Sequence, residues 1–297
     1  MTTRISILCI GMILIFTGCR PNKNKTNDNS DTIGHAEVTQ IDSIKDMVYL
    51  LLSPNEILNE IFSKKTALNT QLLNPRINAN KYLDAKHQAL NLGVYIGDFA
   101  YLNLCGNKSN ALDYFKIIRD LAQKNNIYGC FDETTFGRIQ NNLANNDSLI
   151  SISQEMYYNM SDILENANRQ NIYALIASGT LIETLYLSVM STENSSDKVL
   201  LAQRIFEQKQ LFDSFYSFVS LYKEDSDVKS IIPQLNELKR TFSKATMNST
   251  KLKIDKNKKN HLEVKGGQDI VANDTIFKEL KDYIITVRQN ITSISTK

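Results

Sequence analysis

Apolar residues recur every three or four positions along most of the chain after residue 53, the spacing of one face of an α-helix. The first such segment has a clear beginning. Ser53 is followed by Pro54 and, three positions after the Ser, by Glu56, which together predict a helix N-cap, a first helical Pro and a capping box. The pattern predicts a helix over 54–65, preceded by a short helix over 41–52.

Two segments are apolar on more than one face, which is typical of central helices that other helices surround. The first covers 80–105, with Asn80 as its predicted N-cap, and the second covers 168–190. Ordinary amphipathic periodicity predicts further helices over 109–125, 132–144, 147–166, 197–222, 226–245 and 274–290. Pro233 must either kink the helix over 226–245 or mark a restart.

One region departs from the helical spacing. Residues 251–254 and 261–264 alternate polar and apolar positions, which favours a small β-hairpin near 251–265 that ends at Gly266 and Gly267. The whole pattern therefore predicts an all-α fold, a multi-helix bundle of about 8–10 helices with this hairpin attached.

The two apolar segments share letters when the chain is shifted by 85 residues, so that Ala89, Leu90, Tyr101 and Leu102 meet Ala174, Leu175, Tyr186 and Leu187. Two apolar helices share letters easily, so a true internal repeat stays open. The middles of both segments also carry small residues, namely Gly93, Gly97, Ser178 and Gly179. Since Gly costs up to about 1 kcal/mol relative to Ala inside a helix, we expect close helix packing there.

Asp98 and Glu183 are the two acids within these apolar segments, with Tyr101 and Tyr186 nearby. A buried carboxylate must be hydrogen-bonded, paired with a cation or protonated. These four residues form a candidate interior polar site. It is either a structural network, which is the favoured interpretation, or an acidic pocket.

The N-terminal residues have the pattern of a targeting signal rather than of a folded segment. Arg4 precedes an apolar run of 12 residues, 5–16. As a helix this run would extend about 18 Å, too short for a hydrocarbon core of about 30 Å but typical of a signal peptide. We expect residues 1–18 to be the signal peptide.

Phe16-Thr17-Gly18-Cys19 resembles the bacterial lipobox, in which an apolar residue and two small residues precede a Cys. The resemblance implies cleavage between Gly18 and Cys19 and acylation of the Cys19 thiol, hence a membrane anchor. Phe16 departs from the Leu that is commoner at that position. Ordinary secretion is the alternative.

Residues 19–40 are rich in Asn, Lys, Asp, Ser and Thr, a composition typical of a flexible tether between the lipidated Cys and a single helical domain over 41–297. Arg20 stands where Asp would retain a lipoprotein in the inner membrane. By resemblance to those sorting rules, we expect an outer-membrane location that faces the periplasm, with the cell surface as the alternative.

Charge and motifs exclude several functions. Lys and Arg number 34 against 32 Asp and Glu, too even a balance to indicate nucleic-acid binding. His35, His87 and His261 lack the spacing of metal ligands, and no nucleotide-binding or hydrolase motif occurs. We therefore expect no metal, no cofactor, no catalytic residue and no nucleic-acid partner. Cys105 and Cys130 flank a predicted helix of roughly 25 Å and should be free thiols.

The stretch 82–187 resembles helical lipoproteins of Bacteroidota that have no established activity. The residues that carry the resemblance are 88–95, Asp98, Tyr101, 131–133, 146–149 and the helix around Glu183. The resemblance implies an envelope location and a helical fold, and no mechanism.

Two functions remain. The first, which we favour because catalytic motifs are so sparse, is a lipid-anchored, non-enzymatic envelope module that binds another envelope protein or component. The second is an enzyme or small-ligand receptor that uses Asp98 and Glu183. It predicts a pocket that both acids reach and at least one strongly perturbed pKa.

Overall fold

A computed structural model describes residues 51–62, 67, 69–193, 195–256, 262–271 and 273–293. These residues belong to one compact unit, Ile41–Lys297. The predicted signal peptide, Cys19, the tether and the helix over 41–50 lie outside the described residues. Leu51 and Leu52, at the end of that predicted helix, are described and are not helical.

The described residues form ten α-helices, which confirms the all-α class. The helices are α1 Pro54–Ile61, α2 Ala85–Cys105, α3 Lys108–Lys124, α4 Glu133–Asn141, α5 Asn146–Asn166, α6 Gln170–Thr192, α7 Lys198–Glu207, α8 Lys209–Ser220, α9 Ser226–Phe242 and α10 Asp274–Thr292. Two 3₁₀ turns, Thr70–Leu72 and Arg76–Lys81, lie between α1 and α2.

The predicted capping box at α1 is present. The Ser53 amide donates to Glu56 Oε2 (2.6 Å), and the Glu56 amide donates to Ser53 Oγ (3.3 Å). The Tyr158 hydroxyl, from α5, donates to the same Glu56 oxygen at 2.6 Å. The cap therefore satisfies two free amides of the first turn and also joins α1 to α5.

Two predictions about where helices begin and end are wrong. Asn80 does not cap α2, because residues 76–81 form a 3₁₀ turn and the Asp84 side chain accepts the His87 amide instead (3.0 Å). The helix predicted over 197–222 is two helices. The Gln208 amide bonds to Ile205 O three residues back, which tightens and ends α7, and Gln208 O then accepts the Phe212 amide of α8.

Pro233 lies inside the single helix α9 without a restart. Pro233 and Lys229 are both exposed, so the Lys229 carbonyl that loses its amide partner lies on the solvent side. Water can satisfy a carbonyl there, which explains why the helix continues through the proline.

Two antiparallel strands, β1 Thr246–Lys256 and β2 Leu262–Val271, follow α9. Met247 pairs with Ile270 and Lys253 with Lys265, with a register irregularity between Thr250 and Lys253. The strands extend beyond the predicted range of 251–265, and Gly266 and Gly267 lie within β2 rather than ending it. Residues 257–261 lie outside the described residues.

Helices α2 and α6 form the centre of the protein and touch through their backbones. A Cβ on Gly93 would collide with Ile176 O, and one on Gly179 would collide with Leu90 O. The expected close packing at small residues is thus confirmed. By length and composition α6 could cross a membrane, yet 89% of its most apolar window is buried in the protein, as befits a core helix.

Candidate functional site, a buried carboxyl pair

The crossing of α2 and α6 brings Asp98 and Glu183 together in the core. Both residues are 0% exposed, so the expected interior position is confirmed. Gly97, next to Asp98, leaves the room for this approach, because a Cβ there would lie 3.0 Å from Glu183 Cβ.

Arg288 of α10 supplies the positive charge of the site. Its Nε donates to Glu183 Oε2 (2.9 Å) and its Nη2 to Glu183 Oε1 (3.1 Å), a bidentate ion pair. Nη2 also donates to the Leu72 carbonyl (3.1 Å), and the guanidinium lies 4.5 Å from the centre of the Tyr186 ring. Tyr186 therefore belongs to the site as predicted, through its aromatic face.

Asp98 has fewer partners. The Asn74 amide donates to Asp98 Oδ2 (3.1 Å), whereas Oδ1 is buried and receives no donor from the described residues when both acids are ionised. Burial, followed by the charge of Glu183, raises the pKa of Asp98 well above its usual value, and Arg288 opposes the shift. A proton on one of the two carboxyl groups would supply the donor that Oδ1 lacks.

Two tyrosine hydroxyls form hydrogen bonds with the side chain and the carbonyl of Asn74. Asn74 Nδ2 donates to the Tyr82 hydroxyl (3.0 Å), which donates to the Thr292 carbonyl at the end of α10 (3.2 Å). The Tyr114 hydroxyl of α3 donates to the Asn74 carbonyl (3.0 Å). Burial raises the pKa of Tyr82 to about 12. Together with the bond from the Asn74 amide to Asp98, these bonds tie the segment 72–82 to α2, α3 and α10.

Tyr101 lies elsewhere, contrary to its predicted place in the site. Its hydroxyl donates to the Ala67 carbonyl (3.2 Å), accepts from the Asn69 amide (3.4 Å) and lies 3.3 Å from Ser191 Oγ. Tyr101 is three residues after Asp98, so it lies on a neighbouring part of the helix face, one turn further along α2.

Sequence reasoning missed Arg288, Asn74, Tyr82 and Tyr114. Arg288 did have a signal, because it follows buried Ile284 by four positions and precedes buried Ile291 by three, within the apolar stripe of α10. A cation on such a stripe calls for a buried anion. The segment 72–82 has no periodicity, so Asn74 and Tyr82 had no comparable signal.

The arrangement is a closed and nearly charge-balanced network. The network contains two carboxyl groups, one guanidinium and a shell of hydroxyls and amides. Neither carboxyl group is exposed, so neither can meet a substrate in this arrangement. Among the described residues, no group of three or more His, Cys, Asp and Glu side chains could hold a metal ion. Cys105 and Cys130 are free thiols, and burial raises their pKa values to about 11 and about 12.

An open groove of about 820 Å³ lies between the Arg76–Lys81 turn and α3. Arg76 and Asp113 form an ion pair across it, and Lys116 lies 3.6 Å from Asp113. The other lining residues are Ala79, Asn80, Ile117, Asp120, Leu121, Gln123 and Lys124. The groove mixes both signs of charge over an apolar floor and is separate from the carboxyl pair.

Comparison with protein-family models, with curated proteins and with solved structures finds no match to this chain.

Proposed function

We propose that this protein is a lipid-anchored component of the bacterial cell envelope whose helical domain is a non-enzymatic binding module. The observation that carries the proposal is the closure of the carboxyl pair. Asp98 and Glu183 are the acids that an enzyme or receptor would use here, and both are 0% exposed and bonded to the scaffold. Such a network holds helices together rather than presenting acids to a substrate.

The alternative function, an enzyme or small-ligand receptor built on these acids, has less support. It needs an opening through which a ligand reaches both carboxyls, and Arg288, Asn74 and Tyr82 occupy their surroundings. The strongly raised pKa of Asp98 was a predicted mark of this alternative. Burial and a neighbouring acid produce the same shift in a purely structural pair.

The envelope location rests on the sequence. The apolar run at 5–16, the lipobox-like residues 16–19 and the polar segment 19–40 support a lipid anchor with a tether. Arg20 supports the outer membrane, with the domain facing the periplasm and the cell surface as the alternative. The proposed relationship to helical lipoproteins of Bacteroidota agrees with this location.

A fatty-acid labelling experiment tests the anchor. Cells that express the wild type, Cys19→Ser or Cys105→Ser are grown with radioactive palmitate, and the protein is isolated and counted. We expect label in the wild type and in Cys105→Ser, because Cys105 is a partly buried thiol with a raised pKa, and none in Cys19→Ser. Label that persists in Cys19→Ser contradicts the lipid anchor.

The open groove is the surface that we propose for binding an envelope partner. The turn that forms one wall also carries Ile77, which is 67% exposed, and Leu83 just beyond it is 84% exposed. Exposed apolar side chains beside paired charges are common features of protein-binding surfaces.

Site-specific crosslinking in intact envelopes tests this assignment. A photoreactive residue replaces Gln123 in the groove or, as the control, Thr275 on a separate charged surface of α9 and α10. We expect a discrete adduct from position 123 that the additional substitution Arg76→Glu weakens, and no such adduct from position 275. Equal adducts from both positions, or insensitivity to Arg76→Glu, contradict the groove as the binding surface.

A further inference from the structure

We propose that Asp98 and Glu183 share a single proton and that, with Arg288, they form a pH-sensitive clamp that holds α10 and the segment 72–82 against α2 and α6. The clamp joins four parts of the fold at one buried point. Its chemistry does not depend on the proposed binding function.

The hydrogen-bond donors that the described residues place around the two carboxyl groups leave one oxygen without a partner. Nε and Nη2 of Arg288 each donate to one of the two Glu183 oxygens, and the Asn74 amide donates to one oxygen of Asp98. Asp98 Oδ1 is buried and has no donor from the described residues. With both carboxylates ionised, Oδ1 has only lone pairs and no donor, whereas one proton allows the two acids to form a hydrogen bond.

The charges of the buried group balance only when the two acids hold one proton. One guanidinium balances one carboxylate, so a single proton leaves the buried group neutral. Without that proton, the group would carry one uncompensated negative charge on two fully buried carboxylates, which is strongly unfavourable. The shared-proton state therefore satisfies both the bonding and the charge requirements of the site.

The other ionisable groups around Asp98 do not change their charge near neutral pH. The polar groups around Asp98 are Tyr95 of α2, Tyr114 of α3, Glu183 and Tyr186 of α6, Arg288 of α10, and Asn74 and Tyr82 of the segment 72–82. Burial raises the pKa of every one of these tyrosines, and that of Arg288 lies above its usual value. The tyrosines stay neutral and Arg288 stays charged between pH 6 and 9, which leaves the carboxyl pair.

The sign of the pH effect follows from linkage. The pKa of Asp98 is raised in the folded state, so the folded protein holds a proton that the unfolded chain releases above its ordinary carboxyl pKa of about 3.9. The contribution of the pair to stability is therefore complete below that value and decreases as the pH rises. Deprotonation should weaken the attachment of α10. The last turn of α10 is then held by the bonds from the Tyr82 hydroxyl to Thr292 O and from Asn91 Nδ2 to Ile291 O.

Chemical unfolding of wild type and Asp98→Asn between pH 6 and 9 tests the clamp. Asn has the shape of a protonated Asp and can donate to Glu183 without a titrating proton. We expect the unfolding constant of the wild type, divided by that of Asp98→Asn, to rise by up to about tenfold per pH unit. Glu279→Gln, which removes a partly exposed acid of α10 outside the buried pair, should follow the wild-type profile. Parallel profiles for wild type and Asp98→Asn would overturn the shared proton.

A second measurement requires no variant to fold. The infrared spectrum of the wild-type protein at pH 7 should contain the carbonyl band of a buried protonated carboxyl group. The band should disappear at alkaline pH together with faster amide exchange in α10, after correction for the intrinsic pH dependence of exchange. A spectrum without that band at pH 7, or a band whose loss leaves α10 exchange unchanged, would refute the clamp.

Discussion

Helix α10 contributes an ion pair on each of two sides, and the two pairs differ in almost every physical respect. On the inner side, Arg288 holds Glu183 with side-chain exposures of 12% and 0%. On the outer side, Glu279 meets Arg240 of α9 at 3.0 Å and also Lys244, and the three side chains are 32–54% exposed. Each side has a Glu–Arg pair, so for these two pairs the main difference is the exposure to solvent.

Solvent can replace the side chains of the outer ion pair more easily than those of the inner ion pair. Water and salt ions can replace any member of the outer group, and its geometry costs side-chain entropy to maintain. The inner group has little such replacement, because Glu183 is fully buried and only 12% of the Arg288 side chain is exposed. The comparison teaches that the number of ion pairs on a helix says little about what anchors it.

Arg288→Met should show the largest effect. Met fills much of the space of the Arg side chain but leaves Glu183 buried beside Asp98 without a cation. Removing one partner of a buried pair typically costs about 3–5 kcal/mol in the free energy of unfolding. Urea denaturation at pH 7, followed by circular dichroism, measures this loss.

Arg240→Met is the matched control on the outer side. The same change of side chain there should lower the unfolding free energy by far less, since solvent replaces the guanidinium around Glu237 and Glu279. Similar losses in the two variants would contradict the distinction between the two sides of α10.

Gly179→Ala should have the next largest effect, and it tests the backbone contact that positions the inner acids. A Cβ at this position collides with the carbonyl oxygen of Leu90, which is part of the α2 backbone and cannot swing away. We expect α2 and α6 to separate locally, at a cost of about 3 kcal/mol in the free energy of unfolding, measured by urea denaturation.

Gly137→Ala provides the control within α4, because nothing lies within 4 Å of its added Cβ. The better helix propensity of Ala should stabilise the protein there by about 0.5–1 kcal/mol. A Gly179→Ala protein as stable as the wild type would refute the tight contact between α2 and α6.

Local sequence signals predicted much of the fold. Caps and apolar periodicity identified the helical class and most of the helices, and the capping box of Ser53 and Glu56 is present. The errors fall where no periodic signal exists. The 3₁₀ turn at 76–81 and the break at Gln208 depend on backbone hydrogen bonds over three residues, which amphipathic patterns do not reveal.

The candidate site was predictable in part for a related reason. Asp98 and Glu183 stand out because acids are rare in apolar helices, so a single sequence sufficed to find them. Tyr101 was misplaced because its distance from Asp98 along α2 says little about which neighbours its hydroxyl reaches. Asn74 acts through its backbone amide and carbonyl as well as its side chain, and backbone groups leave no trace in the sequence.

Tyr82→Phe should show the smallest of these effects and tests how the inner network reaches the end of α10. The Tyr82 hydroxyl joins Asn74 Nδ2 to Thr292 O, so its removal leaves a buried amide and a carbonyl short of one bond. We expect a loss of about 1 kcal/mol in the free energy of unfolding. Tyr216→Phe removes a hydroxyl bond to Asn236 at an exposed position and should cost less, because water can take its place. Amide hydrogen exchange separates the two variants, since Tyr82→Phe should accelerate exchange in the last turns of α10 and Tyr216→Phe should not. Unchanged exchange there in Tyr82→Phe would mean that Arg288 alone anchors the helix.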